Sequence, residues 1–234
     1  MKKKQLKISV ITLFPEFIKS YSQFGIVARA VANRILRIVE IDLRTFGVGS
    51  RQTVDHPPYG GGVGMVLRAD VVIKAIKRAK NKFRTAKTRV ILMTPRGKQF
   101  NQKTAIRLSK YDHLVLVSGR YEGFDERVSK YINEELSVGD YVLMGGELPA
   151  LVISEAVMRH VPGILGKDES AHNESFSDGL LEHPQYTKPE VLEIDGTKSR
   201  VPKVLLSGHH AKIEEWRREQ ALKKTKKNRP DLIK

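Results

Sequence analysis

The 234-residue sequence contains no cysteine, which excludes disulfides, thiolate metal sites and cysteine nucleophiles and fits a reducing cytoplasm. No apolar run approaches the roughly 20 residues needed to cross a bilayer, so no membrane-spanning segment is expected. The opening "MKKKQLKISVITLF" is basic and then apolar. Its apolar part is short, runs into "PEF" and lacks a small-residue cleavage site, so it reads as a first buried strand rather than a leader. Acidic residues are scarce: 26 Asp and Glu stand against 42 Lys and Arg, a formal net charge of +16. Such an excess favours a polyanionic partner, nucleic acid first and membrane surface second, unless every protein of the source is lysine-rich. No internal repeat is visible. With 40% hydrophobic and 29% charged residues, the remainder has the profile of a folded chain, long enough for one large domain or two modest ones.

Apolar runs that read as strands lie at 7–14, 36–43, 89–93, 113–119 and 138–146, and segments of helical spacing at about 15–33, 69–82, 101–109, 124–132 and 147–159. Alternating strands and helices predict an α/β fold, a parallel sheet with helices on both faces. Ligands in such sheets sit at the carboxyl ends of the strands. Three strand ends carry unusual loops, "MTPRGKQ" (93–99), "SGRYEGFDER" (118–127) and "LMGGELP" (143–149), which should converge on one side. The long Gly- and Pro-rich stretch 44–65 exceeds ordinary connections and is marked as functional or mobile. The polar stretch 162–180 reads as an interdomain linker. Beyond it, one amphipathic helix is predicted from about Ala211 to Lys224.

Basic residues cluster at 71–89, which holds eight and no acid, and at 217–234, which holds eight against Glu219 and Asp231. The second block follows Trp216 on the predicted helix and reads either as a phosphate-gripping tail or as a solvated helix end.

"YGGGVG" (59–64) lacks both the phosphate-loop signature and the Gly-x-Gly-x-x-Gly spacing of dinucleotide folds. It is better read as a turn that lets a planar base or another subunit approach the backbone. The seven histidines show no metal-ligand spacing, and His209 and His210, adjacent at a helix start, point in different directions, so no metal site is assigned. In "SGRYEGFDER", Asp125 and Glu126 fall where helix capping accounts for them, whereas Glu122 lies inside the turn. Asp140 and Glu147 flank the adjacent glycines Gly145 and Gly146. That arrangement reads as a turn, or as a pocket in which these carboxylates and Glu122 hold a ligand carrying positive charge.

The blocks "LFPEF", "TVDHPPYGGGVGM", "SGRYEGFDERV", "SVGDYVLMGGELPA", "ESFSDGLLEHPQYTKPEVLE" and "VPKVLLSGHHAKIEEWRREQALKKT" resemble the bacterial tRNA (guanine-N1)-methyltransferase family, in register from about residue 8 to the C-terminus. The resemblance implies a SPOUT-class fold with a deep trefoil knot in the C-terminal half of the sheet, a rare exception to threading rules, followed by a small, mainly helical domain. It implies a knotted cofactor-binding domain over 1–161, a linker over 162–181 and a tRNA-binding domain over 182–234. It further implies a homodimer with an active site shared between chains, S-adenosylmethionine as methyl donor, and methylation of the guanosine at position 37 of tRNA, just 3′ of the anticodon. Magnesium enters as an optional cofactor with no residues read as its cage. Carried over residue by residue, the cofactor falls to Leu92, Thr94 and Pro95, to Gly119, Tyr121 and Glu122, and to Val138, Gly139, Asp140, Tyr141, Val142, Leu143, Gly145, Gly146 and Pro149. Asp55, Tyr59, Gly60 and Gly64 resemble the part that receives the target guanine.

Guanine N1 keeps its proton at neutral pH, so transfer needs a base near N1 and a positive group near O6. The resemblance gives the O6 side to Arg159 in "VMRHVPG" and the base to Glu174 in "NESF". Members of the family have aspartate before Ser-Phe, and Asp178 is the weaker candidate for the base. The rival readings are a non-catalytic basic RNA-binding protein and a related SPOUT RNA methyltransferase of other specificity.

Overall fold

The computed structural model describes residues 5–83, 87–165, 174–176 and 178–233. They fall into two compact units, Met1–Asp168 and Glu169–Lys234, and the division lies inside the stretch read as a linker. That stretch includes residues 166–173 and 177, which lie outside the described residues.

The first unit is a parallel α/β sheet. Its elements are β1 (Leu6–Thr12), α1 (Pro15–Tyr21), α2 (Gly25–Ala32), β2 (Leu36–Asp42), the short β3 (Asp55–His56) and β4 (Val66–Leu67), α3 (Ala69–Phe83), β5 (Thr88–Gln99), α4 (Gln102–Leu108), β6 (His113–Val117), β7 (Glu134–Ser137) and α5 (Glu147–Met158). Five strands form the sheet in the order β2-β1-β6-β5-β7, and every pairing in it is parallel. A parallel sheet covered on both faces has strands that are apolar throughout; β6, "HLVLV", is buried at all five positions. On one face α1, α2, α4 and α5 pack through Ile18, Val27, Leu108, Ile153 and Val157 against Ile8, Val10, Leu114 and Leu116. On the other, α3 places Val72, Ala75, Ile76 and Ala79 against Ile11, Val90, Val115 and Val117. The buried positions of α3 recur at helical spacing and leave its cations outside.

Four sequence expectations need correction. The final strand is not 138–146 but Glu134–Ser137. "EELS" disguises itself with two acids, but Glu134 is held by Arg89 and Arg107 at 2.9 and 2.6 Å. Burial pushes the Glu134 carboxyl up, but those two guanidinium groups outweigh it and leave it below its ordinary value. Residues 93–99 are not a loop, because β5 runs on to Gln99 past an irregularity between Met93 and Lys98. The segment 15–33 is two helices, interrupted where Phe24 is extended and Gly25 takes φ +58°. The helix at 124–132 is a 3-10 turn, Glu126–Tyr131, capped by Asp125, whose side chain accepts the Arg127 N–H, in line with the capping role read from sequence.

The second unit contains a hairpin, β8 (Val191–Ile194) and β9 (Thr197–Arg200), then α6 (Lys203–Leu206), α7 (His210–Asn228) and a 3-10 turn, Pro230–Leu232. The hairpin turn is Asp195-Gly196, both with positive φ, the two-residue turn that matches strand twist. α7 extends beyond the expected Ala211–Lys224, and Thr225 is its one buried residue; its half-buried positions are Ile213, Trp216, Arg217, Gln220 and Ala221, a mixed face.

Candidate ligand cavity at the strand ends

The irregular stretch of β5 at 93–96 and the loops after β6 and β7 meet on one side of the sheet, around a cavity of about 350 Å³, within the range of small-molecule sites. Every residue expected at the cofactor lines it except Leu92 and Asp140. Leu92 is packed in the core beneath α3, and Asp140 is exposed beside Gly139 on the loop. Sequence reading missed several lining residues, among them Arg96, Arg120, Phe124, Ser137 and Met144.

Arg120, which lines the cavity, forms an ion pair with Glu147 behind it. Thr12 at the end of β1 donates its hydroxyl to Glu147 Oε1 at 2.8 Å, and Arg120 Nε donates to Glu147 Oε2 at 3.0 Å. The Glu147 side chain keeps only 3% of its exposure, against 28% for Arg120. Arg120 also donates to the Met144 carbonyl at 3.3 Å and lies 4.4 Å from the centre of the Phe14 ring. The expectation that Glu147 faces a positively charged ligand is therefore corrected: its charge is answered inside the chain by Arg120. Glu122 and Asp140 are the carboxylates left beside the cavity.

This pair explains the adjacent glycines. A Cβ on Gly145 would overlap Arg120 and Glu147, and one on Gly146 would come within 2.7 Å of Gly119 N and 2.8 Å of Ser118 Cα. The close approach lets Gly146 N–H donate to the Gly119 carbonyl at 2.8 Å, tying the start of α5 to the end of β6. Across the cavity Tyr121 adopts φ +59°, a conformation that costs a non-glycine residue on the order of 1–3 kcal/mol. The loop 138–146 carries Val142 and Met144 at 85% and 93% exposure, so its apolar side chains are not spent on the core.

The long 44–65 stretch ends at this cavity. β3 and β4 pair through Asp55 and Leu67. Glu122 N–H donates to the Met65 carbonyl, and Leu67 N–H to that of Gly123. Gly64, at φ +93°, lies so close that a Cβ would come within 2.6 Å of the Glu122 side chain. Asp55, Tyr59, Gly60 and Gly64 are not in the lining; Tyr59 is wholly exposed.

Arg159 follows α5 directly, about 20 Å along the helix from Gly146 at 1.5 Å per residue, and does not line the cavity. Glu174 and Asp178 belong to the second unit. Among the described residues no group of three or more His, Cys, Asp and Glu is placed to hold a metal ion, and no helix is long and apolar enough to cross a membrane.

The fold and cavity define an α/β protein with a cavity of small-molecule size at the carboxyl ends of parallel strands. The family model described as tRNA (Guanine-1)-methyltransferase TrmD matches residues 6–234. Proteins named tRNA (guanine-N(1)-)-methyltransferase are similar over almost the whole chain. That of Thermus thermophilus is 46% identical over 97% of this chain and 92% of its own, that of Shouchella clausii 48% over 98% and 92%, and that of Dictyoglomus turgidum 48% over 97% and 90%. The chain belongs to the tRNA (guanine-1)-methyltransferase family.

Proposed function

We propose that the protein transfers a methyl group from S-adenosylmethionine to N1 of guanosine 37 of tRNA, releasing S-adenosylhomocysteine and a proton. The observation that carries this is the family match over residues 6–234, with the cavity formed by the segments that resemble the cofactor site. The cavity suits the donor: its volume fits a folded nucleoside-sized molecule, and Gly119, Gly123, Gly139, Gly145 and Gly146 are among the residues that line it. Main-chain groups of 138–146 face the adenine edge, and Glu122 and Asp140 lie toward the positive groups. When bound, S-adenosylmethionine supplies an activated methyl, whose bond to sulfur breaks as the bond to N1 forms. Glu174 takes the N1 proton, and Arg159 stands at O6, where negative charge develops as that proton leaves. Asp55, Tyr59, Gly60 and Gly64 receive the guanine, which unstacks from the anticodon loop at modest cost.

The reading includes a homodimer with a shared site: the linker of one chain, with Glu174, lies over the knot of the other, with Arg159. Support comes from α5, where Leu148, Val152 and Glu155 are exposed along the stripe that leads to Arg159, and from exposed Phe14, Phe17 and Phe24 in the same unit. A trefoil knot is also part of the reading. In its support, the chain leaves β7 at the sheet edge and returns across β5 to meet Gly119, just past β6, and Thr12 on β1. We read 1–161 as the knotted domain, 162–181 as the linker and 182–234 as the tRNA-binding domain, in a cytoplasmic enzyme.

The test is methyl transfer to unmodified tRNA transcripts with and without guanosine 37, with mass identification of the product nucleoside. Glu174→Gln should slow single-turnover transfer by about 10²–10⁴-fold with S-adenosylmethionine affinity unchanged, and Glu174→Asp should keep much of the activity. A mixed dimer of Arg159→Ala and Glu174→Gln chains should regain one intact site. Label on transcripts lacking guanosine 37 would overturn the assignment, and no recovery in verified mixed dimers would overturn the sharing.

A further inference from the structure

Thr225 is the anomaly of the second unit. It is fully buried in α7, while Lys223, Lys224, Lys226 and Lys227 around it are exposed. A solvated helix end has no use for a threonine, a weaker helix former than the lysines beside it. Its hydroxyl is engaged on both sides. Oγ1 donates to the Ala221 carbonyl at 2.7 Å and accepts the Leu181 N–H at 2.9 Å.

Leu181 closes the segment that begins at Glu174. Phe176, at φ +74°, donates its N–H to the Leu180 carbonyl at 2.8 Å, and Glu182 N–H donates to Ser175 Oγ at 3.0 Å. Residues 174–176 and 178–182 thus fold back on themselves. The Arg229 guanidinium, one turn beyond Thr225, lies 5.8 Å from the Phe176 ring. The segment that carries Glu174 is therefore fastened to the end of α7 at two points, and the four lysines occupy the same helical turns.

We propose that Thr225 is a positioning residue, the latch through which RNA held by the α7 lysines fixes the placement of Glu174. The proposal rests on the reading of Glu174 as the base. A helix turn moves as a rigid piece, so phosphates gripped by Lys223, Lys224, Lys226 and Lys227 set the position of Thr225 Oγ1. The half-buried Leu181 N–H has that oxygen as its acceptor, and leaving such a donor unmet carries a cost. The turn bearing Glu174 follows the helix.

The experiment measures single-turnover methylation at saturating tRNA for Thr225→Val, Thr225→Ser, Glu174→Gln and the Glu174→Gln/Thr225→Val double variant. Affinities for tRNA and S-adenosylmethionine and amide exchange at Leu181 are measured alongside. Thr225→Val should slow transfer by up to about 100-fold, the cost of a small misplacement of a reacting group, with both affinities kept; Thr225→Ser should restore the rate. In the Glu174→Gln background Thr225→Val should add nothing. The Leu181 amide should exchange slowly in the wild type and quickly in Thr225→Val. A Thr225→Val enzyme as fast as wild type, an equal slowing in both backgrounds, or lost tRNA affinity in place of lost rate would each overturn the latch. Should Glu174→Gln itself prove as fast as wild type, the base assignment fails. Leu181 exchange then judges the latch alone: slow turning fast keeps it, and equal rates in both proteins remove it.

Discussion

Replacing Arg120 by methionine removes the guanidinium that answers Glu147 and leaves a carboxylate with 3% exposure and, among the described residues, the Thr12 hydroxyl as its side-chain partner. Breaking a buried pair from one side costs about 3–5 kcal/mol. Arg120 keeps 28% of its exposure, so the cost should fall near the lower end, about 3 kcal/mol. For a unit of this size each kcal/mol lowers Tm by roughly 2–4 °C, which puts the loss at about 6–12 °C. Glu147→Leu removes the charge rather than stranding it and leaves Arg120 able to turn toward solvent, so it should cost less. The double variant should cost much less than the sum of the two. The assay is thermal and urea unfolding of the three variants in one buffer, read as a double-mutant cycle. Because Arg120 also anchors the Met144 carbonyl, the same variant should lose S-adenosylmethionine affinity. Additive single effects, or an Arg120→Met cost below about 1 kcal/mol, the level of a surface pair, would refute the account of a buried charge held by one partner.

Gly146→Ala places a methyl against the backbone of Gly119 and Ser118 and should destabilise by about 1–3 kcal/mol while weakening S-adenosylmethionine binding by calorimetry; unchanged binding would deny the close approach a role. His113, buried at the start of β6, has its pKa lowered to about 4 by burial and then by Lys7. The unfolded chain takes up a proton near 6.5 that the folded chain refuses, so this contribution is complete above that pH and drains away as pH falls toward 4. Urea midpoints of wild type and His113→Gln should therefore converge between pH 7 and pH 4.5; parallel curves would remove His113 from the acid sensitivity. Replacing Lys223, Lys224, Lys226 and Lys227 by glutamine should reduce the slope of log affinity for tRNA against log salt by about 3, at 0.7–0.9 per phosphate contact, with cofactor binding intact; an unchanged slope would make the helix end a solvated one.

Strands marked by a local apolar run were legible in the sequence: the predicted 36–43 and 113–119 became Leu36–Asp42 and His113–Val117. β7 was not, because a strand that opens on two glutamates makes sense only once Arg89 and Arg107 arrive from elsewhere in the chain. The run "YVLM" misled for the converse reason, since its side chains are apolar and yet exposed at the cavity. The Asp195-Gly196 hairpin carried the strongest local turn signal and was overlooked within a segment predicted to be mainly helical. At the site, glycine spacing marked the convergent loops, but the Glu147–Arg120–Thr12 arrangement joins residues up to 135 positions apart, and no local pattern encodes it.

The glycines in the cavity wall have a consequence for inhibition. Resistance usually arises when a codon change removes a side chain that a drug relies on or adds one that blocks it. Here the first route is narrow, because Gly119, Gly145 and Gly146 have no side chain to remove. The second is obstructed, because an added methyl at any of the three collides with the protein's own Phe124 ring, with Arg120 and Glu147, or with the end of β6 before it reaches a ligand. A competitive inhibitor anchored to the main chain of these turns, and not to Tyr121, Val142 or Met144, should therefore leave the organism few single-step escapes that keep the enzyme folded.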